Sequence, residues 1–542
     1  MSGYLVVTHL DSRPATREEL ATFALPLAER GPHGARPRVF GNVGVMSSLL
    51  YTGDPRLDAT VATIDERLVV AGQVRVDARL ALLVALRNAG RDLTDDETDV
   101  SLFAHAWDLW SAGALDRVIG DFSVCVVDQR DGSVTLVRDR FGVRPLFHAT
   151  IGRTLIASNV LRAVLASPDV SHVLDDDAVA DFIASGAPEE SGATIFRDVR
   201  CVPPAHFVRT GAAAQRYWSV ADLPMRAEED VNAFRHAFAQ AIGDRLRAPA
   251  ISVLTSGGIE STAIAAVTCA TLKVPAAVHA VTVDLPSIAP SPRVAYVQSV
   301  ARALGIRHTV VNGDRFGFHE GLEYVATRLP HTAAPSCDLD VELRREVMRR
   351  AVSNSRVVLS DGDPDALLGL PTPSGHGAPS PAWLREDLRR RRDARSSARA
   401  ADAQDFPSWP GLPHGAATLE SLDPGAHAVP ADVRFPLLDV RVVALMLSAP
   451  AERQQQLLGD ATQGVLPQPS DEQPIRMPEL LSARFAQWWS RRPMPFTPCD
   501  ALRRYLDAAV GPPTATPDGS SDNALIELRL RSLDRWLRVE TA

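Results

Sequence analysis

Ten consecutive residues, Val253-Leu254-Thr255-Ser256-Gly257-Gly258-Ile259-Glu260-Ser261-Thr262, carry the densest chemistry in the chain. The apolar run Ile251 to Leu254 suits a buried parallel strand, and Ser261 to Thr271 reads as a helix packed through small residues. A strand that breaks into Ser-Gly-Gly and enters a helix makes an anion site. The free N–H groups of the first turn and the positive end of the helix dipole face whatever sits over the turn. Glycines let the backbone approach closely, and Ser256, Ser261 and Thr262 add hydroxyl donors. No Gly-Lys-Ser/Thr follows, so the spacing alone also fits a plain strand–helix turn. A second run, Asp361-Gly362-Asp363-Pro364-Asp365, follows the strand-like Arg356 to Ser360. Carboxylates at such a strand end could hold a divalent cation that bridges phosphates. An acidic turn that only caps the next helix would look the same.

These residues need elements to hold them. Residues 1 to about 215 read as short strands. Gly120 to Asp128 and Ser133 to Arg138 alternate and are joined by Gln129-Arg130-Asp131-Gly132, with Asp-Gly as the hairpin signal. From about 225 the pattern becomes α/β. An amphipathic helix runs from Asp230 to Leu246 and leads into the Ile251 strand. Strands follow at Val278 to Val283 and His308 to Val311, and helices at Val294 to Leu304 and Arg344 to Val352. Such alternation implies a parallel, doubly wound sheet with its site at the strands' C-terminal ends. Residues 371–415 are rich in Pro, Gly, Ser and Ala and contain seven arginines between Arg385 and Arg399. A run of this kind is usually a solvated arm, or else a clamp for an acidic peptide.

Ser256 to Ser261 resembles the SGG-x-D-S pyrophosphate loop of the asparagine synthetase-like ATP pyrophosphatases. Gly120 to Asp128 with Arg138-Asp139-Arg140-Phe141-Gly142-Val143-Arg144-Pro145-Leu146 resembles the signature of class II glutamine amidotransferase domains, as do Ile156 to Asn159, Thr194 to His206 and Arg216-Tyr217-Trp218. Val433 to Asp439 resembles the former family's RxPFLD segment. The resemblance implies an α/β chain of two domains. Residues 1–218 would form an αββα amidotransferase-like domain of the Ntn type. Residues 225–510 would form a doubly wound ATP pyrophosphatase domain with 371–415 as a flexible basic insertion, followed by a tail over 511–542. It further implies ATP and Mg²⁺. Leu254, Ser256, Gly257, Gly258, Glu260, Ser261, Thr262, Ser360 and Gly362 would bind the nucleotide, Glu260 and Asp365 the metal, and Glu260, Asp365 and Arg434 would serve catalysis.

The departures shape the expected function. Ser2 stands where the amidotransferase nucleophile is a cysteine, and a hydroxyl is a far weaker nucleophile, so glutamine hydrolysis is not expected. The amine should then belong to the substrate. Glu260 replaces the family's Asp, Ala366 its Glu and Gln455 its catalytic lysine. Lys273 is the only lysine in the chain, which leaves Arg434, Arg453, Arg476 or the basic arm to supply charge. Members without the cysteine close rings. The reading preferred here is lasso peptide cyclisation, an isopeptide formed between an Asp or Glu side chain and the N-terminal amine of a precursor (core) peptide. A leader peptidase and a leader-binding recognition protein are further partners implied by it. The alternatives are a pseudoenzyme that serves as a binding or regulatory partner and a β-lactam synthetase-like cyclase; Gly362 stands where the β-lactam type has a tyrosine base.

Composition is that of a globular protein, with 45% hydrophobic and 23% charged residues. A net charge of -9 excludes nucleic acid as the expected main partner. Asp11 interrupts any signal-peptide core. The most apolar long window, Ala263 to Val283, contains Lys273, Pro275 and His279, so no membrane span is expected. Five scattered cysteines argue against disulfides and structural zinc. The expected compartment is the cytoplasm.

Overall fold

A computed structural model describes residues 2–53, 58–224, 230–287, 292–316, 333, 341–362, 380–402, 419–420, 422–467, 497–507, 529–534 and 536–538. Two six-stranded antiparallel sheets form the first part of the chain. The central strands are Gly3–His9 in one and Ile119–Asp128 in the other. Alternation along each strand divides its side chains between two cores. Tyr4 and Val6 meet Val69, Cys125 and Leu136 between the sheets. Leu5 and Val7 point the other way, to the helices Leu161–Leu165 and Asp176–Ser185. Phe122, Val124 and Val126 pack outward against Arg79–Asn88 and Asp99–Trp110. The layers are therefore helix, sheet, sheet, helix. The expected hairpin is present, with Val124 opposite Val137 and Asp128 opposite Ser133.

The second part is a five-stranded parallel sheet in the order Arg307–Asn312, Val278–Asp284, Ile251–Leu254, Val357–Leu359, Asp432–Arg434. In chain order these strands run 3-2-1-4-5. The order reverses between Ile251–Leu254 and Val357–Leu359, the crevice where a doubly wound sheet holds its ligand. Helices Val231–Arg245, Ile259–Leu272, Val440–Ser448 and Ala451–Ala461 cover one face. Val341–Val352 covers the other, where Phe141, Trp218 and Leu223 of the first part also pack.

The basic run differs from expectation. Glu386–Asp402 is a helix docked on Asp176–Ser185 of the amidotransferase-like part. Leu384 and Leu388 enter that part's core, and Arg392 is fully buried, bonded to Glu189 and close to Asp181. Arg395 pairs with Asp177 at 2.9 Å and with Asp181 at 2.7 Å. Acidic residues some 200 positions upstream neutralise Arg392 and Arg395, so residues 386–402 are a docked helix and not a free arm. Leu502, Tyr505, Leu530, Leu533 and Trp536 join the same core, so the described C-terminal segments pack on the first part of the chain.

Between the two sheet systems lies a buried ion-pair network. Arg245 bridges Asp77 at 3.0 Å and Asp439 at 2.9 Å, and Arg144 meets Asp432 at 2.9 Å. Arg247 reaches Asp99 at 2.6 Å, and Arg138 reaches Glu420 at 3.2 Å. Among the described residues no helix is long and apolar enough to cross a membrane.

Candidate nucleotide site

At the reversal point the Ile251–Leu254 strand ends in the Ser256 loop. The neighbouring strand, in register with Val253 beside Leu359, ends in Ser360-Asp361-Gly362. Leu254, Ser256, Gly257, Gly258, Glu260, Ser360 and Gly362 thus gather at two adjacent strand ends, as expected. Gly257 has φ +89, a conformation glycine takes without strain. A Cβ there would lie 2.8 Å from Arg293 Cβ. No side chain caps the Ile259–Leu272 helix, whose N-cap is Gly258, so its positive end faces the loop.

Ser261 and Thr262 are fully buried and brace the loop from behind. Ser261 Oγ accepts from Ser256 N–H at 3.1 Å and donates to Gly258 O at 3.2 Å. Thr262 Oγ1 donates to Gly258 O at 2.9 Å. Their hydroxyls hold the turn's shape; the surface over the loop belongs to Ser256 and the first-turn backbone. Thr255 ties the loop sideways through Thr282 Oγ1 at 2.6 Å, and Thr282 bonds His308 Nε2 at 2.9 Å. Burial lowers the pKa of His308.

Glu260 folds back over the loop. Its Oε2 lies 2.8 Å from the place a Gly258 Cβ would fill, so Gly258 leaves the room that the carboxylate uses. Asp284, at the end of Val278–Asp284, has a buried Oδ1 without a hydrogen-bond partner. A carboxylate above an anion loop and an orphaned buried carboxylate oxygen at the next strand end suit a hard cation that bridges to phosphate. The loop's N–H groups suit a nucleotide's phosphates, and Glu260 and Asp284 are the described carboxylates that would face a metal bound to it. Among the described residues no three His, Cys, Asp or Glu side chains form a metal cluster. Asp365 and Ala366 lie outside the described residues, as does Arg476.

Arg434 is not where the expected role would need it. It is 3% exposed. Its guanidinium pairs with Asp432 at 2.7 Å, donates to Arg245 O and approaches Thr52 Oγ1 at 3.4 Å, inside the network between the sheet systems. Burial opposes the charge on Asp432, yet Arg434 and Arg144 hold its carboxyl far below the usual range. Asp439 caps Val440–Ser448 through Arg441 N–H at 3.0 Å and bonds Arg245 and Arg441. The RxPFLD-like run is an interdomain clasp. Lys273 ends the Ile259–Leu272 helix at the opposite end from the loop, roughly 20 Å away at 1.5 Å per residue. Arg453 sits on Ala451–Ala461 beside Gln456 and Asp460. Gln455 lies on the same helix. Gly362, at φ +76, has the Phe435 ring 2.8 Å from its would-be Cβ, so a side chain there would displace Phe435.

In the first part Ser2 is 6% exposed. Its Oγ accepts from Leu50 N–H at 3.0 Å, and its carbonyl accepts from Asn159 at 2.9 Å. A buried hydroxyl held this way has a pKa far above that of a thiol. Incubation with glutamine is expected to release no glutamate above background. Release that Ser2→Ala abolishes would overturn this.

The site and layers define a two-domain architecture, a four-layer amidotransferase-type domain followed by a parallel-sheet nucleotide domain. Residues 65–218 match the family model of the glutamine amidotransferase domain, and residues 233–418 match that of asparagine synthase. Both parts of the chain are thus similar to asparagine synthetase-like proteins. The glutamine-hydrolysing asparagine synthetase 3 of Bacillus subtilis (strain 168) is 26% identical over 181 residues, which are 31% of this chain and 29% of that protein. The root asparagine synthetase of Pisum sativum is 27% identical over 176 residues, 32% of this chain and 26% of that protein. The matched stretch is thus less than a third of either relative. Among solved structures, the glutamine phosphoribosylpyrophosphate amidotransferase of B. subtilis aligns over 66% of this chain and 81% of its own at 13% identity, with a TM-score of 0.29. The NAD synthetase of Campylobacter jejuni aligns over 38% of this chain and 100% of its own at 14% identity, with a TM-score of 0.20.

Proposed function

We propose that the protein forms an amide from a carboxylate and an amine of one peptide, activating the carboxylate with ATP at the Ser256 loop. The observation that carries this reading is the uncapped helix end behind Gly257 and Gly258 at the sheet's reversal point, with Glu260 folded over it. The carboxylate would attack the α-phosphate to give an acyl-adenylate and pyrophosphate, and an amine would then displace AMP. The first-turn N–H groups and Ser256 would hold the phosphates, and Glu260, Asp284 and Asp365 would face the metal. Mg²⁺ bound there would neutralise charge that develops on the phosphate oxygens.

Ser2 supplies no ammonia in this reading, and buried ion pairs fill the space between the two parts where Arg245 and Arg144 sit. Both facts favour an amine carried by the substrate itself. Lasso peptide macrolactam formation is the specific form proposed, with a core peptide as substrate and a leader peptidase and leader-binding protein as partners. The side-chain-sized obstacle at Gly362 weighs against the β-lactam alternative. A pseudoenzyme reading draws on Arg434 and Arg392, whose charges are spent in packing.

The test is AMP and pyrophosphate release with leader-free core peptides, beside glutamine and ammonium as control amines. Peptide-dependent AMP with a product lighter than the peptide by one water is expected. AMP that appears only with ammonium would overturn the intramolecular form, and no AMP with any acceptor would favour the pseudoenzyme.

A further inference from the structure

The Ser256 loop has a second wall. The crossover helix Pro292–Leu304 begins directly against Gly257, with Arg293 Cβ 2.8 Å and Arg293 O 3.3 Å from the position of a Gly257 Cβ. Any side chain at 257 would push this helix away, so the glycine keeps Arg293 at the loop. The guanidinium is half-buried, and burial lowers its pKa while nearby Asp284 raises it. Among the described residues, the side chains of Arg293 and Asp284 make no hydrogen bond or ion pair, and Asp284 Oδ1 is buried without a partner. Elsewhere in this protein buried arginines and aspartates pair tightly, as Arg245 does with Asp77 and Asp439. A cation and a carboxylate left unjoined beside an anion loop are arranged for a ligand carrying both anionic oxygens and a metal.

We infer that Arg293 contacts the pyrophosphate end of the nucleotide on the Ser256 loop and supplies the positive charge for its departure. The inference rests on the adenylation reading above. In that step a carboxylate oxygen bonds to the α-phosphorus while the bond from phosphorus to the oxygen bridging to the β-phosphate breaks. The electron pair leaves on pyrophosphate and no proton is transferred. Charge therefore grows on the leaving group, where a fixed cation counts most. Lys273 lies at the far end of the Ile259–Leu272 helix, and Arg434 is bound into the clasp. Arg293 is the described arginine whose own Cβ touches the loop's glycine.

Calorimetric titration of the full chain with inorganic pyrophosphate and Mg²⁺, without peptide, separates the possibilities. Arg293→Met keeps the packing stem and is expected to weaken pyrophosphate about 10- to 100-fold, with an unchanged melting temperature. Arg293→Lys should recover part of that loss, and AMP release should follow the same order. Unchanged pyrophosphate affinity in Arg293→Met, while wild type binds, overturns this inference alone. Failure of wild type to bind either pyrophosphate or ATP overturns the adenylation reading with it.

Discussion

Glu260→Ala is expected to lower AMP release by about 100- to 1000-fold, the size of effect seen when one charge-stabilising group is removed from a transition state. The side chain folds back over Gly258 at the positive end of a helix. There it is either a metal ligand or a negative charge that competes with phosphate. The two possibilities predict opposite signs in a binding experiment. A metal ligand, once removed, weakens ATP·Mg²⁺ and leaves metal-free ATP little changed. A mere helix-end carboxylate, once removed, tightens metal-free ATP by lifting a repulsion. Glu260→Asp shortens the arm by one methylene and should retain part of the rate if the cation can follow it. Tighter nucleotide binding in Glu260→Ala with undiminished AMP release would remove Glu260 from the metal site.

Much of this site is legible in the sequence because local chemistry dictates it. An apolar run too short for a helix, two glycines and a small-residue helix admit few arrangements, and the strand–loop–helix unit forms where the pattern places it. Asp131-Gly132 fixes the hairpin in the same way. The residues that sequence reading misplaces are those whose partners are remote. Arg434 belongs to a strand that pairs beside Val357–Leu359, and its side chain turns toward Arg245 and Thr52. Nothing near position 434 in the chain announces that. The arginine run looks solvated because Asp181 and Glu189, which neutralise Arg392, lie so far upstream. Its local hint is Leu384 with Leu388, two leucines around the start of the helix that both enter the core. Ser261 and Thr262 look like ligand donors until burial shows them bonded to the loop. Arg293 is overlooked because it lies a helix and a strand downstream of the loop. The signal that finds it is topological, since a crossover helix following the second strand starts beside the first strand's loop.

The largest expected loss of stability comes from Arg245→Met. Arg245 is 1% exposed and joins Asp77, on the amidotransferase-type domain, to Asp439, at the start of Val440–Ser448. Removing one member of a buried charge network leaves the others uncompensated, at a cost of about 3–5 kcal/mol. The two carboxylates are not equally exposed to that loss. Among the described residues Asp439 keeps Arg441, whereas Asp77 keeps only Arg75, which it shares with Asp121. Burial already pushes Asp77 up to about 6, against the pull of Arg245 and Arg75. A carboxyl whose folded pKa is raised contributes stability that is present below its unfolded pKa and lost as pH rises through the folded one. Without Arg245 that folded pKa must climb further, so protonation relieves the stranded charge at milder acidity. The deficit of Arg245→Met, read from urea midpoints, is therefore expected to be larger at pH 8 than at pH 5.5. Adding Asp77→Asn should recover much of it at pH 8 and little at pH 5.5. A deficit independent of pH, or no recovery in the double variant, would mean that the pairing of Arg245 with Asp77 is not what stabilises the domain junction.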